Sequence, residues 1–329
     1  MYLLTGATGF VGGVLARQLV AAGHSLRAIV RTPGNAGALR ELGVELHPGD
    51  VTDKASMRAP MTGVDGVFHV AGWYRLGVTA RDRAIAEATN VHGTRNVLEL
   101  MRELRVPKGV YTSTLAVNSD THGELVDENY RFDGRHLSIY DETKARAHDV
   151  ASEFIAGGLP LVIVQPGVIY GPGDTSSLKT TLLQFLQRKL PAIPARTAFC
   201  WAHVDDVAHG HVLAMQRGQA GRNYFICGPV HTMEEGLQVA SEVSGVPMPR
   251  MRLRPGMMRA MSTVTAVIEQ VVTLPADYAS ETLRAMAGTT YIGSNARAKA
   301  ELGWTVRELR DGWAETVRYE AGLLALSAR

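Results

Sequence analysis

The segment Tyr140-Asp141-Glu142-Thr143-Lys144 sets a phenol and an ammonium four residues apart, which puts both on one face of a helix. A phenol with its ordinary pKa of about 10 is a poor base at neutral pH, and a nearby cation draws that value toward the working range. Tyr140 could then pass a proton to or from a substrate oxygen. Upstream, Tyr111-Thr112-Ser113-Thr114 closes an apolar run. Hydroxyls there fall at the carboxyl edge of a sheet, where open α/β sheets bind ligands. Thr114 could hold the reacting oxygen beside Tyr140, with simple strand-end capping as the alternative.

A third group is built for phosphate. Thr5-Gly6-Ala7-Thr8-Gly9-Phe10-Val11-Gly12 joins the first apolar run to a helical pattern. Gly6 permits a sharp turn, Gly9 lets the backbone approach a diphosphate, and Gly12 lets the helix pack closely on the sheet. The helix start offers unpaired N–H groups to an anion. Gly6, Thr8, Gly9, Phe10, Val11 and Gly12 are therefore the candidate diphosphate contacts. About 20 residues on, the position that meets the adenosine ribose in such folds is Arg31. A guanidinium there suits a 2′-phosphate better than a free hydroxyl, which favours NADP over NAD; a solvated strand-end arginine is the alternative. Asp50-Val51 follows the third run, where a carboxylate could accept from the adenine amino group or simply form a turn.

Elements that position these groups are legible as short apolar runs at 2–4, 25–31, 44–47, 66–70, 108–112 and 161–165, alternating with helical patterns at 11–22 and 81–104. This predicts an α/β fold, a doubly wound parallel sheet of about seven strands. Further strands are expected at 199–203 and 223–227, with helices over 177–189 and 205–217. Beyond Pro247 the chain reads as helical and rich in Met and Arg. We expect a nucleotide-binding domain over 1–170, rejoined by about 199–228, and a smaller, mainly helical substrate lobe from 171–198 and 229–329.

Composition excludes several classes. The 329 residues carry a net charge of +2 and no dense basic tract, which gives no reason to expect a nucleic-acid or membrane partner. No apolar stretch is long enough to span a bilayer. Two cysteines make no disulfide framework, and a reducing cytoplasm is expected. His209 and His211 lie two apart on a helix and face different ways, so no metal site is expected. Asp205-Asp206 reads as a helix N-cap rather than a catalytic pair.

The chain resembles the extended short-chain dehydrogenase/reductase family, the NAD-dependent epimerase/dehydratase superfamily, over nearly its whole length. The glycine turn, Asn90-Val91-His92-Gly93-Thr94-Arg95-Asn96, Tyr140 with Lys144, the segment from Gln165 to Asp174, His203-Val204-Asp205-Asp206-Val207-Ala208 and Glu301-Leu302-Gly303-Trp304 carry the likeness. It implies that Thr114, Tyr140 and Lys144 are catalytic, with Asn90 on the helix supporting the proton relay. It also implies cofactor contacts at Ala71, Gly72, Thr112, Tyr140, Lys144, Pro166, Gly167 and Val168, and substrate contacts at Trp73, Tyr74, Thr114 and Tyr140. A homodimer through the helices of Asn90 and Lys144 is a further implication. Sugar-nucleotide dehydratases of the family carry Asp-Glu after the catalytic threonine, whereas Leu115-Ala116 stand here. Residues 68–76 and 210–214 resemble the dihydroflavonol-reductase-like and hopanoid-associated epimerase-named group. The expected function is NAD(P)-dependent reduction of a small to medium, largely apolar carbonyl, or oxidation of the matching alcohol. A nucleotide-sugar epimerase holding NAD, and a non-catalytic nucleotide sensor, are the alternatives.

Overall fold

Aliphatic strands with no polar face can only be stable when both faces are covered. Leu3, Leu4, Val67, Phe68, Val110 and Leu161 to Val164 are such residues, each fully buried. They lie in a computed structural model of the protein, which describes residues 1–77, 80–272 and 274–327. In chain order the first strands are β1 (Tyr2–Thr5), β2 (Leu26–Val30), β3 (Glu45–Pro48), β4 (Gly66–His69), β5 (Gly109–Thr112) and β6 (Leu161–Pro166). Then come β7 (Val168–Tyr170), β8 (Ala192–Pro194), β9 (Ala198–His203), β10 (Asn223–Ile226), β11 (Val230–Thr232), β12 (Met251–Leu253) and β13 (Thr290–Tyr291).

Seven of these form one sheet in the order β10-β6-β5-β4-β1-β2-β3, with every neighbouring pair parallel. Helices flank both faces, giving the doubly wound architecture of a Rossmann fold. Strand order reverses between β1 and β4, so the carboxyl ends of those two strands open the crevice in which such sheets bind ligands.

The return to this sheet is made by β10, after the helix Val204–Arg217. Strand β9 pairs instead with β7, β11 and β13 in a second sheet. Beneath that sheet Tyr170, Trp201 and Trp313 pack edge to face, with the Tyr170–Trp313 centroids 5.5 Å apart. Trp304 goes the other way, into the core of the nucleotide-binding body, and its Nε1 donates to the Asp206 carbonyl at 2.8 Å. The N-cap of the Val204–Arg217 helix is His203, which accepts from Asp205 N. Asp206, read from the sequence as part of a cap, instead grips the Arg307 guanidinium, Nη2 to Oδ1 at 2.9 Å.

The pattern expected as one helix over 81–104 is interrupted. Ala80–Ala86 and Gly93–Glu103 are α-helical, and Glu87–His92 between them is a π turn. The wider turn faces Asn90 and Val91 inward and leaves His92 exposed. Such turns are frequent at functional sites.

Candidate active site

Four strand ends meet at one edge. At the end of β1 the glycine turn is tight: a Cβ on Gly12 would stand 2.1 Å from the Gly6 carbonyl oxygen, and one on Gly6, at φ +74°, 2.6 Å from Ala71 N. Side chains at either position are excluded. The helix Phe10–Ala21 that follows has neither a side-chain cap nor an acidic residue in its first turn. Its first N–H groups thus face outward with no competing anion, which fits a dinucleotide diphosphate. Ala71 N donates to Thr5 Oγ1 at 3.3 Å, tying the β4 end to the same turn.

From β5, Thr114 is buried and its hydroxyl accepts from Ala116 N at 3.2 Å. Thr112 points its hydroxyl away, pairing with His211 Nε2 at 2.8 Å, while its carbonyl accepts from Lys144 Nζ at 2.8 Å. Burial holds His211 down at about 4, hence neutral. Since its Nδ1 is committed to the Val207 carbonyl, the bare Nε2 accepts the Thr112 proton. At the end of β6, a Cβ on Gly167 would sit 2.2 Å from the Cys200 carbonyl oxygen, so Pro166-Gly167-Val168 runs flat along β9.

The helix Ile139–Ala156 carries Tyr140 and Lys144 in. Ser138 caps it, accepting from Asp141 N at 3.0 Å. Tyr140 meets the Tyr74 ring edge to face, with centroids 4.8 Å apart, and Tyr74 Oη pairs with Ser177 Oγ at 3.1 Å. Burial pushes the Tyr140 phenol well above its usual range, and the Thr114 hydroxyl draws it partly back. This reverses the expectation that a cation lowers it. Lys144 does not supply that effect here: its Nζ donates to Tyr111 Oη at 3.1 Å and to the Thr112 carbonyl, and lies 4.8 Å over the Tyr111 ring. With no carboxylate beside it, burial lowers the lysine to about 7.

Asn90 is fully enclosed and uses its whole carboxamide. Oδ1 accepts from Trp73 N at 2.7 Å, and Nδ2 donates to the Trp73 carbonyl at 3.1 Å and Thr143 Oγ1 at 3.0 Å. It thus pins the Trp73-Tyr74 loop to the Tyr140 helix. A Cβ on Gly72 would reach Asn90 Oδ1 at 3.5 Å and Lys144 Nζ at 4.0 Å, so these three residues share one wall.

The adenosine end is simpler. Arg31 is exposed just past β2 and, among the described residues, has no hydrogen bond or ion pair. Arg40 reaches back to the Pro33 carbonyl at 3.1 Å, bringing a second guanidinium to the same loop. Asp50 Oδ1 accepts from Thr52 N and Oγ1, both at 2.8 Å, which is the turn-forming arrangement. The Val51 side chain is core, and its carbonyl accepts from Asn96 Nδ2 at 2.9 Å.

Sequence reading passed over Tyr111, the partner of Lys144, and Asp141. Asp141 is buried, its Oδ2 accepts from Tyr291 Oη at 2.9 Å, and burial with the nearby Glu281 pushes it up to about 7. Glu281 in turn accepts from Ile139 N and, at 2.9 Å, from Gly77 N. An acid beside Tyr140 was visible in the sequence, but its partner lies 150 residues away. Between about pH 4 and about pH 7 the native Asp141 keeps a proton that the unfolded chain has shed, so stability falls as pH rises through that window and is level above it. Asp141→Asn removes this titration. The melting temperature of the variant relative to wild type should climb from about pH 4 to about pH 7.5. A difference independent of pH would show that the carboxyl ionises normally.

The NAD dependent epimerase/dehydratase family model matches residues 2–227. A Synechocystis sp. protein bearing a provisional dihydroflavonol 4-reductase name is 34% identical over 257 residues, 76% of this chain and 74% of that protein. Sterol demethylase protein B of Methylococcus capsulatus is 31% identical over 333 residues, covering 98% of this chain and 99% of that one. Among solved structures, the crystal structure of gox2253 aligns with a TM-score of 0.86 at 31% identity, covering 98% of each chain. The glycine turn, the β4 and β6 ends and the Tyr140 helix all fall in or beside the matched span, and the chain belongs to the NAD dependent epimerase/dehydratase family.

Proposed function

We propose that the chain reduces the carbonyl of a small to medium, largely apolar substrate, with NADP as its preferred nucleotide and Tyr140 as the proton donor. Membership of the family makes it a nicotinamide-nucleotide enzyme. The observation that carries the reading is the setting of Tyr140: a buried phenol next to the Thr114 hydroxyl and walled edge to face by Tyr74. A protonated phenol is an acid, and carbonyl reduction needs one. The names of the relatives, a reductase and a sterol-metabolising protein, agree with a carbonyl on an apolar skeleton.

When bound, the dinucleotide supplies the hydride. The glycine turn and the first N–H groups of the Phe10–Ala21 helix would hold its diphosphate, together with Ala71 and Gly72. Thr114 and Tyr140 take the substrate oxygen, and Tyr140 gives it the proton. Lys144, brought to about 7 by burial, can lose and regain a proton at neutral pH, and it sits against Tyr111 and the Thr112 carbonyl rather than on the phenol, which would regain its proton from solvent. Lys144 would also hold the nicotinamide ribose. Asn90 is a positioning residue, since its carboxamide is spent on Trp73 and Thr143. Loss of added NADPH with a series of apolar aldehydes and ketones tests the reaction. An epimerase consumes no net cofactor.

Arg31 decides the nucleotide. A charge-assisted hydrogen bond contributes about 1.5–3 kcal/mol, so Arg31→Asp should weaken NADP at least about tenfold and favour NAD by repelling the 2′-phosphate. Titration of both proteins with both nucleotides reads this directly. A wild type that binds NAD more tightly overturns the NADP assignment.

A further inference from the structure

The Met- and Arg-rich segment after Pro247 is not used by the reaction. Its helix, Pro255–Ile268, leaves most of its residues exposed or half-buried. It buries Met258 and Ser262, and Ser262 Oγ donates to the Ser280 carbonyl at 2.8 Å. Its outer face carries Met257 (52% exposed), Val264 (59%) and Val267 (62%), continued by Val271 (86%) in the turn beyond. Spacings of seven, three and four residues put these on one stripe. From Met257 to Ile268 the stripe runs roughly 16 Å. Single exposed apolar residues are ordinary on a soluble protein, but a contiguous row of them marks a contact surface.

At the amino end of the same helix Arg196, Arg252, Arg254 and Arg259 line a cavity of about 640 Å³. Only Arg252 meets a carboxylate, Glu234 Oε1 at 2.8 Å. Among the described residues, the side chains of Arg196, Arg254 and the adjacent Arg250 have no hydrogen bond or ion pair. The one acid on the helix flank, Glu269, is turned inward, where it accepts from Ser280 N at 2.8 Å and from Ser280 Oγ. A net charge of +2 over the whole chain conceals this segregation.

We propose that this face is a docking surface for an anionic phospholipid bilayer, with the arginines on headgroup phosphates and the Met/Val stripe seated at the acyl boundary. A cationic end joined to an apolar stripe with low net hydrophobicity is the makeup of a helix that lies in the interface plane. It is distinct from spanning, and no helix among the described residues is long and apolar enough to cross a membrane. It departs from the expectation of no membrane partner, which rested on the net charge and on the lack of a dense basic tract along the sequence. A second copy of the chain fits less well, because self-pairing of this face supplies no carboxylate to meet the arginines. The helix also connects to the site: it holds Ser280, and the next residue, Glu281, accepts from Ile139 N and from Gly77 N, beside Tyr140 and the Trp73-Tyr74 loop. Docking there would bring the site mouth to a surface in which apolar substrates dissolve.

The test is flotation of the full chain with vesicles of phosphatidylcholine alone or mixed with phosphatidylglycerol, at low and high salt. Binding should need phosphatidylglycerol and weaken as salt rises. Arg250→Glu with Arg254→Glu should lower it at least tenfold, and Val264→Asp with Val267→Asp should abolish it. All four positions are exposed, so melting temperatures should hold. Failure of wild type to bind, equal binding to both vesicles, or binding unaffected by either double variant overturns the proposal. So does a dimer, seen by sedimentation velocity without vesicles, that the valine variant dissociates while vesicles go unbound.

Discussion

Tyr140→Phe is expected to lower turnover about 10²- to 10⁴-fold, with nucleotide affinity nearly unchanged. Phenylalanine keeps the ring that meets Tyr74 edge to face, so the wall of the site survives. What is lost is the hydroxyl beside Thr114, and with it the proton that the proposed reaction draws from Tyr140. Because burial raises the phenol, Tyr140 itself should stay protonated through neutral pH, and a change of rate near pH 7 would report Lys144 instead. Near-normal turnover of Tyr140→Phe on an established substrate would remove Tyr140 from the reaction.

Lys144→Met should be nearly as damaging to activity, and it differs in two readouts. Loss of a charge-assisted bond to the ribose should weaken the nucleotide at least about tenfold, which Tyr140→Phe does not do. Stability should move the other way. Wild type must carry a charge in an apolar site below about pH 7, whereas the unfolded chain keeps its proton to about pH 10.5. The unfolded state therefore binds more protons across that window, and wild-type stability rises with pH there. Methionine has no such titration. Its melting temperature relative to wild type should be highest at or below about pH 7 and decline toward pH 10 as the lysine sheds its charge. Against this gain stand the Tyr111 hydroxyl and Thr112 carbonyl, which lose their donor. A variant with wild-type turnover and nucleotide affinity would leave Lys144 a packing residue.

Much of the fold was legible because the chain signals it locally. The apolar runs at 2–4, 66–70 and 161–165 fall on β1, β4 and β6, and the glycines of the turn occupy positions where a Cβ cannot fit. What depended on long-range contacts was not legible. The π turn at Glu87–His92 follows from Asn90 reaching Trp73 and Thr143, and a helical periodicity carries no trace of it. Tyr140 and Lys144 do share a helix face, but the choice of Tyr111 and Thr112 as partners of the lysine is made by β5 packing beneath it. Strand β9 read as a return to the main sheet since its apolar run is like any other; only its pairing with β7, β11 and β13 separates it. The Met-rich helix shows the same limit. Amphipathic spacing shows that a helix has an apolar face, yet not whether that face turns inward, and here Met257 and Val264 turn out.

The central claim is net hydride transfer to a carbonyl, and isotope transfer tests it most directly. The enzyme would be supplied with NADPH deuterated at the transferable position and an apolar ketone. One deuterium is expected on the new carbinol carbon for each NADPH consumed, with labelled product at least about a hundredfold scarcer from Tyr140→Phe over the same interval. Substrate that changes configuration at an existing carbinol while the cofactor stays unconsumed and keeps its label would contradict the claim.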